Sequence, residues 1–474
     1  VKTRIPLPEY KPDQSNNSGV LLVAKSVIPA IDGYRSVRDI TTVSDAMTAS
    51  FQGGASAIAS DGEAYLIAGT ATTLDRIAAD GSWSSLTTGL TITGRWRFSQ
   101  FKDYTIAVNN STTRVVDLDL GTAAALAGAP TGTSVAVVGD HVVIGRANSN
   151  ISRVQWSAFD DHTGWTAGVD QSGFQDMQTG GSVMGVAGGE YGIILQRERL
   201  VRMTLTGVAD TPFAFDEISS NFGCSAAGTI AQAGRTVFFY SDRGFMALDD
   251  GQELRPIGRE KVDRTFESLI SRDSLEDIYA AVDPQNKLVM WLVPGNPGTV
   301  WLYNFELDRW STIEIVAKGL FPGFTTSVKL DELDALGYTN LDAMTISLDD
   351  PIWSGGNPRL YFVTWANKIG NLTGDTLAAR LDLGFNEYAQ GQKARVRNIR
   401  PVWDGLAGMT VRMDAKQRLG DASAVTSTST LNTSGILPIR ISGKYISALV
   451  EIAAATDWDY IQAIETEFEP GAVR

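Results

Sequence analysis

From residue 53 to residue 315 the chain repeats one rhythm about every 40 residues. An alternating strand runs into a Gly, Asp or Asn turn. A more apolar strand follows, then one that often carries an aromatic, then an edge marked by Trp or Phe. Residues 53–87 read GGASAIASDGEAYLIAGTATTLDRIAADGSWSSLT, and residues 279–315 read YAAVDPQNKLVMWLVPGNPGTVWLYNFELDRWSTIEI. Units of this length, each with about four short strands, are the signature of propeller blades. One blade leaves both faces of its sheet bare, and only a closed ring of blades covers them. The pattern therefore predicts an all-β chain built on a β-propeller of six or seven blades.

Six candidate blades follow in order: 53–87, 95–127, 134–177, 182–219, 228–258 and 277–315. Several open on a two-residue hairpin turn, as in Val-Gly-Asp-His, Gly-Gly-Glu-Tyr and Ala-Gly-Arg-Thr. Between the fifth and sixth, Val262, Phe266, Leu269 and Ile270 fall at helical spacing and predict a short helix near 260–272. Residues 319–375 are less regular and form either a seventh blade with an acidic insertion at 329–350 or a linker. The ring is expected over 20–375, with 20–37 supplying one or two strands that lead into it and are candidates to close it. The first 19 residues, rich in Pro, charge and Asn-Asn-Ser, predict an extended arm that docks on a neighbour. Near Thr376 the pattern changes to long alternating strands, which predict a C-terminal β-sandwich-like domain over 376–474. Its early strands are basic (Arg380, Lys393, Arg395, Arg397, Arg400) and its late ones acidic (Glu451, Asp457, Asp459, Glu465, Glu467, Glu469). Such a split reads as two solvated faces, or as complementary surfaces between subunits.

The composition argues against most chemistry. With two histidines, His141 and His162, and one cysteine, Cys224, the chain has no ready zinc set and no positioned base for a thiol nucleophile. A lone cysteine permits no internal disulfide, and its expected place is the core. Asp160-Asp161-His162 and Asp249-Asp250-Gly251 read as turns before cation sites. Gly185-Val186-Ala187-Gly188-Gly189 lacks the following helix a dinucleotide loop needs. Residues 157–165, SAFDDHTGW, loosely echo the Asp-box turn of sialidase propellers, a structural element. A carbohydrate-binding or carbohydrate-cleaving propeller is thus the alternative reading, its catalytic carboxylates not assignable from sequence. The recurring Trp83, Trp96, Trp156, Trp165, Trp291, Trp301, Trp310 and Trp365 are expected to pack between blades with their indole N–H groups bonded. A net charge of −14 opposes adhesion to duplex DNA or anionic membrane. No apolar run approaches the length of a membrane-spanning helix, and the first 19 residues lack the apolar segment of a secretory signal.

Several segments, taken in order, resemble the tail-hub or tail-nozzle proteins of short-tailed bacteriophages, also known as packaged-DNA stabilisation proteins. They are IPLPEYKPDQS, VIPAIDGYRSVRDI, RWRFSQFKDYTIAVNN, VQWSAFDDHTGW, GGEYGIILQRERLVRMTLTG, FDEISSNFGCSAAGTIAQAGRTVFFYSDRGFMALDDG, IGREKVDRTF and ISGKYISALVEIA. The likeness covers nearly the whole chain. It implies a propeller-bearing structural subunit, with no catalytic residue, metal or cofactor. Six copies would form a ring at the end of the tail tube, retaining packaged DNA and conducting it during ejection.

The implied location is the virion tail, assembled in the bacterial host cytoplasm as part of the portal–tail complex. The implied partners are identical subunits in a cyclic homohexamer, tail adaptor proteins, tail fibres or tailspikes, and double-stranded DNA passing without sequence-specific binding. Within that frame Asp331, Glu332, Asp334, Asp342, Asp349 and Asp350, set against Lys329, are candidates to line the DNA channel. Like charge would keep phosphates from sticking. Arg395, Arg397 and Arg400 are candidates for the subunit interface.

Overall fold

The computed structural model describes residues 1–78, 80–326, 355–389, 391–422 and 424–470. Among them are seven four-stranded antiparallel units. Six follow the chain, at 51–87, 97–125, 134–176, 183–219, 231–256 and 279–317. The seventh combines Gly319–Phe324, Pro358–Val363 and Ile369–Thr376 with Arg38–Thr42, which precedes the first blade. Strands from the two ends of the ring thus share one blade, which closes the circle. Beyond the ladder, Val43 N–H donates to Ile369 O at 2.8 Å and Met47 N–H to Asn367 O at 2.9 Å. The fold is therefore a seven-bladed propeller.

Position in the blade explains the sequence of each strand. Second strands such as Ala64–Thr70, His141–Gly145 and Gly192–Gln196 are buried at every residue, because neighbouring blades cover both faces. They accordingly read as continuous small or apolar runs. Outer strands such as Trp83–Thr87 and Thr122–Ala125 meet solvent and carry Ser, Thr and Ala. The connecting turns need positive φ, which Gly139 and Asp140 (48° and 63°) and Asp250 and Gly251 (48° and 64°) supply. Most of the named tryptophans pack between blades with the indole N–H bonded to a carbonyl. Trp96 donates to Thr70 at 2.9 Å, Trp291 to Thr229 at 2.9 Å and Trp310 to Ile257 at 2.8 Å. Trp365 differs, being 52% exposed while donating to Gly295 O.

The short helix is Asp263–Leu269, placed between blades 5 and 6 as its spacing predicts. Phe266 is its anchor, with ring centroids 4.6 Å from Phe245 and 5.4 Å from Trp301.

After the ring come two packed sheets. One joins Val23–Lys25, Ala379–Glu387, Tyr445–Ile452, Met409–Lys416 and Val425–Thr430, and it continues blade 6 through a parallel pairing of Lys25 with Thr312. The other centres on Tyr460–Pro470, flanked by Ala394–Trp403 and then Leu437–Gly443. Leu437–Gly443 alternates buried and exposed at every step, as a half-buried strand should. A single apolar cluster runs from this sandwich (Val396, Val411, Ile464) into blades 5 and 6 (Phe245, Trp291, Trp310).

The N-terminal segment departs from expectation. It is extended, but it docks on its own chain. Lys2–Pro6 pairs with the free side of Tyr460–Pro470, Leu7 N–H donates to Gln462 O at 2.9 Å, and Leu7 and Tyr10 are 4% and 5% exposed. Asp13 then caps the short helix, accepting from the N–H groups of Arg264 and Thr265 at 2.9 Å each and from Thr265 Oγ1 at 2.7 Å. Residues 23–36 also belong with the sandwich, since Val23–Lys25 pairs with Ala379–Glu387 and Gly33–Ser36 with Tyr460–Pro470. The ring therefore begins at Arg38 and not at residue 20. The apolar run of 20–37 forms strands as read, but they pair with one another, with Thr312 of blade 6 and with strands beyond residue 376.

Candidate functional site

The first strand of each blade lines the propeller axis. A cavity of about 540 Å³ lies there, bounded by the inner strands of blades 1, 2, 5, 6 and 7. Two arginines from blade 2 cross it. In RWRFSQF the period of two puts Arg95 and Arg97 on one side of the chain and Trp96 on the other, where Trp96 is 2% exposed between blades. Arg97 Nη2 donates to Ala227 O at 3.2 Å, on the segment leading into blade 5. Arg95 Nη1 donates to Ile278 O, which leads into blade 6, and its guanidinium sits 3.8 Å from the centre of the Tyr279 ring. Gly228 makes room for this bridge: a Cβ there would lie 2.1 Å from Ile278 O and 2.8 Å from Arg95 Nη1. Burial, with repulsion from Arg95, pushes Arg97 down to about 10; burial also lowers Arg95. The two side chains tie opposite sides of the ring across its axis. The remaining cavity is of small-molecule size.

Asp331, Glu332, Asp334, Asp342, Asp349 and Asp350 lie outside the described residues. The chain leaves the inner strand of blade 7 at Thr325 and returns at Gly356, whose N–H donates to Thr325 O at 2.8 Å. Arg395, Arg397 and Arg400 are exposed on Ala394–Trp403. The adjacent strand carries the acids: Arg395 stands opposite Glu469, Arg400 opposite Glu465, and Arg397, at a register shift, pairs with Glu469 at 2.7 Å. The basic and acidic strands are thus neighbours in one sheet and complement each other within the chain.

Cys224 is fully buried, and burial pushes its thiol up to about 12. His141 is buried with Nδ1 2.8 Å from Ser157 O, and burial lowers its pKa. His162 lies against Tyr104, with ring centroids 4.3 Å apart. Asp161 stabilises the loop after blade 3's third strand by accepting from Thr163 N–H at 2.8 Å and Oγ1 at 2.7 Å. Those bonds hold its carboxyl below the usual range. Among the described residues no three His, Cys, Asp or Glu side chains gather as a metal site would require, and no helix is long and apolar enough to cross a membrane.

Two features escaped the sequence reading. One is the Arg95–Arg97 bridge, whose available signal was a pair of charges two apart on a strand beside the axis. The other is the Asp13 cap, whose partners are some 250 residues away and leave no local signal.

No family model matches the chain, and no curated protein does. Among solved structures, the RRP9 WD40 repeats align at 9% identity and a TM-score of 0.36, covering 60% of this chain and 88% of that one. The extracellular domain of a putative one-component system from B. thetaiotaomicron aligns at 12% identity and a TM-score of 0.42, covering 82% of this chain and 47% of that one. PorZ, a surface component of the type-IX secretion system of Porphyromonas gingivalis, aligns at 12% and 0.36, covering 80% and 53%. The chain spans about half the length of the last two.

Proposed function

We propose that this protein is a structural subunit of a short-tailed bacteriophage tail, forming a cyclic ring at the tail end that holds packaged DNA and conducts it during ejection. The observation that carries the reading is the ordered resemblance to tail-nozzle proteins along nearly the whole chain. Its quoted segments include those that lock this fold. IPLPEYKPDQS ends the strand that docks on the sandwich and carries the Asp13 cap of the short helix, VIPAIDGYRSVRDI begins the ring-closing strand, and RWRFSQF supplies the axial arginines. A disc tied across its axis and fused to a sandwich through a shared sheet suits a part under mechanical load. Because the propeller's own cavity is of small-molecule size, DNA would pass between subunits, around the axis of the assembly. The acidic residues 329–350 remain the candidates to face that lumen. Arg397 is paired with Glu469 within the chain, and Arg395, Arg397 and Arg400 are all exposed, so they remain candidates for the subunit interface.

The test is the mass and shape of the virion-derived complex. Six copies of a 51.0 kDa chain give a ring of about 0.3 MDa. A monomer released from intact particles would contradict the proposal, and so would its absence from the tail.

A further inference from the structure

The axial cavity has an unusual lining for a chain of net charge −14. Among the described residues it presents three arginines, Arg95, Arg97 and Arg359, and no carboxylate. Its walls are largely apolar and aromatic, including Phe98, Tyr279 and Phe321. Each axial guanidinium carries several N–H donors but gives one hydrogen bond to protein, to Ala227 O or Ile278 O. Neither forms an ion pair among the described residues. Glu276 and Asp277 are near enough to favour the charge on Arg95, yet they do not line the cavity. Two like charges are thus held side by side, partly buried, with spare donors. Such an arrangement is costly unless a counter-charge completes it.

We propose that the axial cavity binds a small organic anion, its carboxylate or phosphate head on Arg95 and Arg97 and its apolar body against the aromatic wall. Planar guanidinium donors match the two oxygens of such a head. The arginines remain charged at neutral pH, the Tyr279 ring already stacked on Arg95 fixes its orientation, and Arg359 adds positive charge to the lining. The volume of about 540 Å³ suits a ligand of this class. This inference is independent of the tail assignment.

The probe is phenyl phosphate, titrated calorimetrically into the full chain at low chloride, with phenol as the neutral control. Saturable binding of phenyl phosphate but not phenol is expected. Arg97→Gln should weaken it at least tenfold, with Arg97→Lys retaining part of the affinity. Circular dichroism and thermal melting of each variant establish that it is folded. Should Arg97→Gln not fold, Arg359→Gln replaces it and should weaken binding several-fold. No saturable binding to the wild-type chain at millimolar concentration overturns the proposal, as does wild-type affinity in a folded Arg97→Gln.

Discussion

The docking of the N-terminal segment on its own chain can be tested by two substitutions. Leu7 is 4% exposed in the shared core, and trimming it to Ala should cost about 2–5 kcal/mol. Asp13 accepts three hydrogen bonds at the start of Asp263–Leu269. Asp13→Ala removes the cap at a cost of about 1–2 kcal/mol. Point changes are more informative than deleting residues 1–18, because deletion also removes the entropic cost of ordering that segment, which offsets the stability its packing provides. The assay is hydrogen exchange read by mass spectrometry on the folded chain. Each 1.4 kcal/mol corresponds to roughly tenfold faster opening. Leu7→Ala should therefore raise exchange about thirtyfold or more in Tyr460–Pro470, and Asp13→Ala about five- to thirtyfold in Asp263–Leu269. The inner strand of blade 3, Ser134–Val138, should change least. Unaltered protection at both sites would refute the reasoning and return the segment to a role outside the chain.

Three further outcomes follow from single groups. Burial pushes the Asp263 carboxyl up to about 7, with Asp13 and Glu267 nearby adding to the shift against the Phe245 N–H it accepts. Its folded-state value lies above its unfolded one, so its contribution is full below about pH 4 and is lost as pH rises through about 7. Asp263→Asn should flatten the fall of melting temperature over that window, and an unchanged slope would argue against it. Cys224, fully buried, should resist a thiol reagent in the native chain and react fully in urea; rapid native labelling would contradict the packing. Under the tail assignment, changing Asp331, Glu332 and Asp334 to Lys should slow DNA ejection in a way that high salt restores. An unchanged rate at every ionic strength would put that segment outside the lumen.

What was legible in the sequence was what repeats locally. Blade limits predicted at 134–177 and 182–219 were found at 134–176 and 183–219, because fully buried second strands and Gly/Asp turns leave a strong signature at short range. The closing strand Arg38–Thr42 was not legible. It reads RDITT, its residues are mostly exposed, and its partner Ile369–Thr376 lies more than 300 residues on. The run at 20–37 announced strands correctly, yet apolar content says nothing of which sheet will take them. Likewise the signs of Arg395–Arg400 and Glu465–Glu469 were plain, but not that the strands would be neighbours. At the axis, the place of Arg95 and Arg97 was not legible, since only closure of the ring turns one side of that strand inward.

Cryo-electron microscopy of the intact virion is the decisive test of the proposal that this seven-bladed chain is a ring subunit at the end of a phage tail. The expected image is a cyclic ring at the distal end of the tail tube. Each subunit would show a seven-bladed disc closed by Arg38–Thr42 and fused to a sandwich that holds the strand Lys2–Pro6, with the DNA path between subunits. A tail tip without such discs, or the protein present there as an isolated monomer, would contradict it.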